Sequence, residues 1–148
     1  MPRSDLDRLP DWRSGTVAVL CTVDGSGVPH AIPVSTALRV GGRRVLLALA
    51  ATRGSLARLR ADPRAALAVL AADDVAMTAQ GRARVLDEPL AAPGDVVAVV
   101  LEVESIRDHR QPTFTIAAGV RWQWTDPEAG ERDERVRAAL ARMAESLD

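Results

Sequence analysis

The stretch GVPHAIPVS, from Gly27 to Ser35, decides the fold, because it places two prolines inside a run that otherwise has the pattern of a β-strand. Pro29 and Pro33 have no backbone N–H and cannot donate to a sheet ladder. They therefore belong to an edge strand, a bulge or a split in the sheet. An ordinary edge strand is the simpler interpretation, and a split is the one with functional consequences.

A split at this point would leave the backbone near Val34, Ser35 and Thr36 free to face a ligand. The hydroxyls of Ser35 and Thr36 could then bond a polyol or a phosphate. We therefore include these three residues among the candidate site residues.

The chain around this stretch is organised as short strands separated by turns. Glycine-containing turns at 24–27 and 41–42 join the first three strands into an antiparallel meander, and Gly81 inside a later strand predicts a bulge or a close backbone approach. The predicted strands are Thr16–Val23, Val28–Val40, Arg43–Ala50, Ala65–Ala71, Val75–Leu86, Asp95–Ile106 and Pro112–Trp124.

Two stretches have a helical pattern. In TRGSLARLRADPR, Thr52 to Arg64, Ser55 is a candidate N-cap and Pro63 ends the helix. The second, 131–147, is amphipathic and is expected to dock on the barrel or on a partner subunit. Its apolar face consists of Val136, Leu140, Met143 and Leu147.

These elements predict a mainly β fold. The expected architecture is a closed or nearly closed antiparallel barrel, with a short helix after the third strand and an amphipathic C-terminal helix. The length of 148 residues predicts a single domain, 1–148.

Composition limits the classes of partner and compartment. The 19 basic and 20 acidic residues give a net charge of −1, which does not favour nucleic acid or an anionic membrane. The single cysteine, Cys21, cannot form an internal disulfide, and no apolar run approaches the roughly 18 residues that span a bilayer. We expect a cytoplasmic protein. The chain has no lysine, so arginine, backbone amides or hydroxyls must hold any phosphate.

A candidate anion site lies where the third strand meets the first helix, at TRGS, Thr52 to Ser55. The start of a helix offers unpaired N–H groups and the positive end of the helix dipole. Arg53 adds charge, Ser55 adds a hydroxyl, and Arg58 one turn later could add a second guanidinium. An ordinary capped helix start is the alternative, because serine caps and exposed arginines are common.

Two tryptophans, Trp122 and Trp124, lie in RWQW and share one face of the last predicted strand. Packing in a core or a dimer interface and stacking on a flat ligand are both open for them. The spacing of His, Cys, Asp and Glu does not predict a metal site, and no serine lies in a G-x-S-x-G nucleophile elbow.

The order of these motifs resembles the pyridoxamine 5'-phosphate oxidase-like family of flavin-binding split β-barrels. The resemblance spans Val17 to Leu86 and rests on VAVLCTVDGSGVPHAIPVS, VLLALAATRGSLARLRADPRAALAV and VAMTAQGRARVL. It implies a homodimer with a flavin in a groove between subunits and the flavin phosphate near the helix start. The candidate cofactor-binding residues are Val34, Ser35, Thr36, Thr52, Arg53, Ser55, Arg58, Trp122 and Trp124.

The chain departs from the family pattern at the helix. Ser55 stands where the family usually has lysine, and Arg58 stands where it usually has asparagine. The helix that commonly follows the G-x-A strand is reduced to DEPLAAPGD, 87–95. Arg53 and Arg58 would have to replace the usual phosphate ligands.

The resemblance implies a flavin-dependent oxidoreductase that transfers a hydride between FMN, or the deazaflavin coenzyme F420, and an unidentified small molecule. Because the cofactor performs the redox step, no acid–base signature is required of the chain. The alternative is a non-enzymatic dimeric module that binds a flavin, a haem or another planar ligand. Oxidation of pyridoxamine 5'-phosphate itself is not expected, since nothing after Leu86 matches a second phosphate-binding set.

Overall fold

The computed structural model describes residues 5–90, 92 and 95–147. Seven antiparallel strands form one sheet, and two helices accompany it. The elements are β1 (Ala18–Val23), β2 (Pro29–Val34), β3 (Leu38–Val40), β4 (Arg44–Ala50), α1 (Gly54–Ala61), β5 (Arg64–Ala71), β6 (Val75–Pro89), β7 (Val96–Asp108) and α2 (Pro127–Leu147).

The strand order explains why the barrel is split. The sheet runs β2-β1-β5-β6-β7-β4-β3, so two strands that are consecutive in the chain lie at opposite edges. Within the described residues β2 pairs only with β1, and β3 pairs only with β4. The three residues 35–37 cross the split, and we call them the crossover. The prolines of β2 thus satisfy both sequence interpretations: β2 is an edge strand and it borders a split.

Thr36 joins the crossover to β4 with its side chain. Its hydroxyl donates to the carbonyl oxygen of Ala48 and accepts from the amide of Ala48, at 3.1 Å each. Leu38 pairs with Leu46 in the β3–β4 ladder, and the same register places Thr36 opposite Ala48. The hydroxyl therefore makes the two hydrogen bonds that the backbone of a paired residue would make. It continues the β3–β4 ladder beyond the end of β3.

Prolines fit β2 because they lie on its outer face. Pro29, Ala31 and Pro33 are exposed, whereas Val34 is buried. The hairpin that leads into β2 is closed by Asp24, whose carboxylate accepts the amides of Ser26 and Val28 at 2.8 and 3.0 Å.

Two apolar clusters lie on the two faces of β4. Val45, Leu47 and Leu49 point into the barrel, where they join one cluster. Leu46 and Ala48 point outward into a second cluster beneath α2. This double burial explains why VLLALA, 45–50, is apolar throughout, as expected for a strand covered on both faces.

The C-terminal helix docks on the barrel as its pattern predicts. Val136 and Leu140 are buried against the outer face of β4, and Met143 and Leu147 pack beside them. The helix begins at Pro127, four residues before the predicted start. No helix in the described part of the chain combines the length and the apolar character needed to cross a membrane.

The structure corrects three predictions of local structure. The predicted strand Val28–Val40 is two strands, β2 and β3, so α1 follows the fourth strand rather than the third. The predicted strand Pro112–Trp124 is absent, because that segment has only an isolated bridge between Gln111 and Phe114. The N-cap of α1 is Arg53 and not Ser55, and it makes no side-chain capping bond.

The shortened segment DEPLAAPGD falls partly outside the described residues. Ala91, Pro93 and Gly94 are not described, and β6 continues to Pro89. The sequence prediction of a reduced helix here therefore stays a prediction.

Gly81 lies at a bulge where two backbones approach closely, as its position in the sequence predicts. The β6–β7 register shifts between Gln80 and Gly81. A β-carbon at Gly81 would lie 1.9 Å from the carbonyl oxygen of Glu102, which no rotamer change can relieve. The strand pair β6–β7 therefore requires glycine at this position.

We predict that Gly81→Ala lowers the free energy of unfolding by about 1–3 kcal/mol or more, because it overpacks against backbone. Gly25→Ala is the matched control, since a β-carbon there meets nothing within 4 Å and the turn keeps an ordinary φ. Urea denaturation compares the two variants. Equal stability of both would contradict the close approach at Gly81.

Candidate functional site

The start of α1 carries the predicted phosphate-binding residues. Leu56 and Leu59 anchor the helix in the barrel core, while Thr52, Arg53 and Gly54 are exposed. We call Thr52, Arg53, Ser55 and Arg58 the helix-start site. The amides of Gly54 and Ser55 belong to the first turn, where a helix has no internal acceptors.

Arg58 folds back over this first turn. Its Nη2 donates to the Ser55 hydroxyl at 3.3 Å, and its Nε donates to the hydroxyl of Thr22 on β1 at 2.9 Å. A β-carbon at Gly54 would lie 3.0 Å from Nη1 of Arg58, so glycine leaves the room for this orientation. The guanidinium is thereby fixed between β1 and the helix start.

The helix-start site is positively charged and lacks an internal counter-ion. The first turn of α1 contains no acidic residue. Neither Arg53 nor Arg58 forms an ion pair with a carboxylate of the described chain. Because the N-terminal end of a helix is itself positive, a guanidinium placed there is disfavoured unless an anion joins it. The arrangement therefore favours binding of an anion.

Ser55 has a different role from the one its sequence position suggests. Its side chain is only 1% exposed, and its hydroxyl accepts from Arg58. Ser55 thus orients Arg58, while its backbone amide remains in the first turn of the helix.

The crossover residues have separate environments. Val34 is buried and pairs with Ala18 in the β1–β2 ladder. The Thr36 hydroxyl is occupied by Ala48, as described above. Ser35 is half-buried, and its hydroxyl makes no hydrogen bond to a described residue. Of these three, Ser35 offers a side-chain group that is not already used.

Trp122 and Trp124 contact each other although they are not on a strand. Their ring centroids are 5.0 Å apart with an angle of 80° between planes, an edge-to-face arrangement. The Trp122 indole donates to the carbonyl oxygen of Gly15 at 2.9 Å. Both rings remain partly exposed, at 40% and 47%.

Within one chain the tryptophans and the helix-start site are far apart. Trp122 bonds Gly15, just before β1, whereas Arg58 bonds Thr22, near the end of the same strand. The intervening extended chain separates these contacts by about 20 Å. The structure therefore gathers Thr52, Arg53, Ser55 and Arg58 in one place and puts Trp122 and Trp124 in another.

Sequence reasoning missed Thr22, which contacts the helix-start site, and two polar residues of the β1–β2 hairpin that follow from it. Thr22 anchors Arg58, and its partner across the β1–β2 ladder is His30. The His30 Nε2–H donates to the Asp24 carboxylate at 2.8 Å. The available signal was the hairpin itself, because antiparallel pairing brings residues on the two sides of the DGSG turn together.

The carboxyl of Asp24 has a lowered pKa. The main cause is the hydrogen bond from His30, followed by the amides of Val28 and Ser26. A lowered pKa in the folded state adds stability that is present above the ordinary carboxyl pKa and is lost as the pH falls through the folded value. The hairpin is therefore weakened only in acid.

A comparison of the sequence with known protein families finds a match over the region that carries the helix-start site. A sequence profile described as pyridoxamine 5'-phosphate oxidase matches residues 11–114, which are 104 of the 148 residues. The chain belongs to the pyridoxamine 5'-phosphate oxidase family. No curated protein matches this member of the family.

Solved structures share the fold of this pyridoxamine 5'-phosphate oxidase family member at low sequence identity. A candidate pyridoxamine 5'-phosphate oxidase from Lactobacillus delbrueckii is 17% identical with a TM-score of 0.57, covering 72% of this chain and 98% of its own. A protein named F420 reductase is 17% identical with a TM-score of 0.53, covering 64% and 91%.

A haem-binding protein from Mycobacterium smegmatis also has this fold. It is 22% identical with a TM-score of 0.50, covering 63% of this chain and 48% of its own. At these identities the likeness extends to the fold.

We predict that His30→Ala raises the pKa of Asp24 toward the ordinary carboxyl value, because it removes the main hydrogen bond to that carboxylate. His109→Ala, which alters the other histidine, should leave the pKa of Asp24 unchanged. A carbon-detected NMR titration of the Asp24 carboxyl measures both. The same Asp24 pKa in wild type and His30→Ala would contradict the assigned cause.

Proposed function

We propose that this chain is a flavin-dependent oxidoreductase that binds FMN, or alternatively the deazaflavin coenzyme F420, through a phosphate at the helix-start site. The observation that carries the proposal is the Arg58 guanidinium, which lies over the first turn of α1 without a carboxylate partner in the described chain. Membership of the pyridoxamine 5'-phosphate oxidase family supports a flavin as the ligand.

The residues of the helix-start site fit the phosphate end of a flavin nucleotide. Arg53 is exposed and Arg58 is fixed by Thr22 and Ser55, so two guanidinium groups are available to one anion. Guanidinium groups bind phosphate oxygens through paired N–H donors. The first-turn amides of α1 add uncharged donors and the favourable end of the helix dipole. This set replaces a lysine with two arginines.

When bound, the flavin supplies the hydride chemistry. The chain contributes binding and orientation: Arg53 and Arg58 hold the phosphate, and Thr22 and Ser55 keep Arg58 in place. Ser35 and Thr52 carry hydroxyls with no partner in the described chain, and we assign them to the polyol between phosphate and ring. Packing of Leu56 and Leu59 keeps the helix start fixed relative to the barrel.

Both candidate cofactors suit a site of this kind. FMN ends in one phosphate, and the deazaflavin coenzyme carries a longer acidic tail. We place FMN first, and the structural likeness to a protein named F420 reductase supports the deazaflavin as the alternative.

We further propose a homodimer in which the cofactor lies between subunits. The segment 117–125 is exposed and belongs to no helix or strand, and its residues make no backbone hydrogen bond to the described chain. It carries Val120, Trp122 and Trp124, which are 67%, 40% and 47% exposed. A second copy would cover these apolar side chains and could bring its own tryptophans to the distant helix-start site.

Sedimentation equilibrium tests the dimer. We predict twice the chain mass of 15.8 kDa for the wild type, and we predict dissociation for Val120→Glu, which places a charge in the interface. Thr115→Glu is the control, because this residue is also exposed and lies just before the segment but is not apolar. A wild type that sediments as a monomer would contradict the proposal.

A binding module without turnover is the second candidate function. The structural likeness to a haem-binding protein supports it, and His30, half-exposed beside the helix start, offers an imidazole to a planar ligand. This candidate shares the fold and the site with the first, and it differs from it in the absence of a substrate.

The phosphate assignment predicts that FMN binds more tightly than riboflavin, which has the same ring without phosphate. Arg58→Gln and Arg53→Gln should each weaken FMN binding by about tenfold to a hundredfold, as expected for a charge-assisted bond, and should leave riboflavin binding almost unchanged. Arg60→Gln is the control, because Arg60 lies on the same helix in its last turn. Flavin fluorescence measures the dissociation constants.

Two outcomes would contradict this function. One is equal affinity of the wild type for FMN and riboflavin, and the other is equal FMN affinity in Arg58→Gln and Arg60→Gln. Either result would show that the phosphate does not bind at the helix start. A bound flavin that is reduced and then reoxidised by a small-molecule acceptor supports the oxidoreductase, and a bound ligand without any turnover supports the binding module.

A further inference from the structure

A cavity of about 300 Å³ lies beside the crossover, between the N-terminal segment and α2. We call it the split-side cavity. Its volume is at the lower end of the range that small-molecule sites occupy. The residues that matter for the argument line the cavity together with the acidic residue Asp11; they are Trp12, Leu38, Arg39, Arg137, Leu140 and Ala141.

The apolar part of the cavity is fixed in place. The Trp12 indole donates to the carbonyl oxygen of Ala37 at 2.9 Å, so the ring is tied to the crossover. Leu140 is 1% exposed and belongs to the cluster beneath α2, with Leu38 packed against it. A flat apolar group would meet an indole on one side and aliphatic side chains on the other.

Arg39 is held by two contacts and keeps an unused donor. Its Nε donates to the carbonyl oxygen of Leu9 at 3.0 Å, and its Nη1 lies 3.3 Å from the carboxylate of Asp11. Asp11 is itself 91% exposed. The Nη2 of Arg39 makes no hydrogen bond to any residue that the structure describes.

Arg137 on α2 has the same arrangement. Its Nε donates to the carboxylate of Asp133 at 2.5 Å, and its Nη1 donates to the Ser14 hydroxyl at 2.9 Å. Its Nη2 also lacks an acceptor within the described chain. The side chains of Arg39 and Arg137 are only 24% and 19% exposed, so both guanidinium groups are oriented before any ligand arrives.

We propose that the split-side cavity binds a small monocarboxylate with a flat apolar body. The carboxylate would accept charge-assisted hydrogen bonds from the Nη2 groups of Arg39 and Arg137, and the apolar body would lie against Trp12 and Leu140. None of Thr52, Arg53, Ser55 and Arg58 lines this cavity. The proposal is therefore independent of the phosphate at the helix start.

Benzoate is the probe, and benzamide is its uncharged counterpart of the same shape. Titration of the full chain, followed by NMR through the Trp12 indole N–H, should show saturable binding of benzoate and at least tenfold weaker binding of benzamide. Arg39→Gln and Arg137→Gln should each weaken benzoate binding at least tenfold. Arg142→Gln is the control, because this arginine is exposed on the same helix and does not line the cavity.

A variant that fills the split-side cavity keeps the test decisive if loss of an arginine unfolds the chain. Ala141→Phe leaves both ion pairs intact and should abolish benzoate binding by occupying the cavity. Three results would overturn the proposal: no binding at 10 mM benzoate, equal binding of benzoate and benzamide, or full binding by Ala141→Phe. Loss of benzoate binding in Arg53→Gln would also overturn it, because the anion would then lie at the helix start.

Discussion

The crossover between β2 and β3 is the constraint on which the rest of the structure depends. Three residues must leave one edge of the sheet and enter the opposite edge, so the two strands cannot pair with each other. The Thr36 hydroxyl compensates by exchanging both hydrogen bonds with Ala48, and the Trp12 indole holds the next carbonyl. Side chains thus hold the crossover to β4 and to the N-terminal segment.

The start of α1, the helix that follows β4, carries an excess of positive charge. Thr22 and Ser55 hold the Arg58 guanidinium where the helix dipole is already positive. Folding stability alone does not favour this position, because a cation at a helix start costs a few tenths of a kcal/mol to about 1 kcal/mol. A phosphate bound there, as we propose, would offset that cost. The site therefore carries a small strain that a ligand would relieve.

Local pattern predicted most of the strands and both helices, and the exceptions have physical causes. The run from Val28 to Val40 has no glycine or proline turn at the crossover, which consists of Ser35, Thr36 and Ala37, so its pattern does not show where one strand ends and the next begins. Only tertiary pairing shows that its two halves have different neighbours. The segment 112–124 has the alternation and aromatic content of a strand. Pairing needs a neighbouring edge, and within the described chain this segment has only the local bridge of Phe114 to Gln111 and the hydrogen bond of Ile116 to Asp74.

The site was predictable to the extent that it is local in sequence. Arg53, Ser55 and Arg58 lie within one helical turn and a half, and their spacing indicated an anion site. Thr22, which fixes Arg58, is 36 residues away and enters through packing of α1 on β1. The burial of Ser55 follows from the same packing. Long-range contacts of this kind have no periodic signal in the sequence.

The backbone amides of Gly54 and Ser55 give the most direct measurement of the central claim, which is that a flavin phosphate binds at the first turn of α1. Amide NMR spectra of the chain with FMN and with riboflavin would differ only through the phosphate. The account predicts that the largest differences between the two spectra occur at Gly54 and Ser55. Differences confined to other parts of the barrel, with these two amides unchanged, would contradict it.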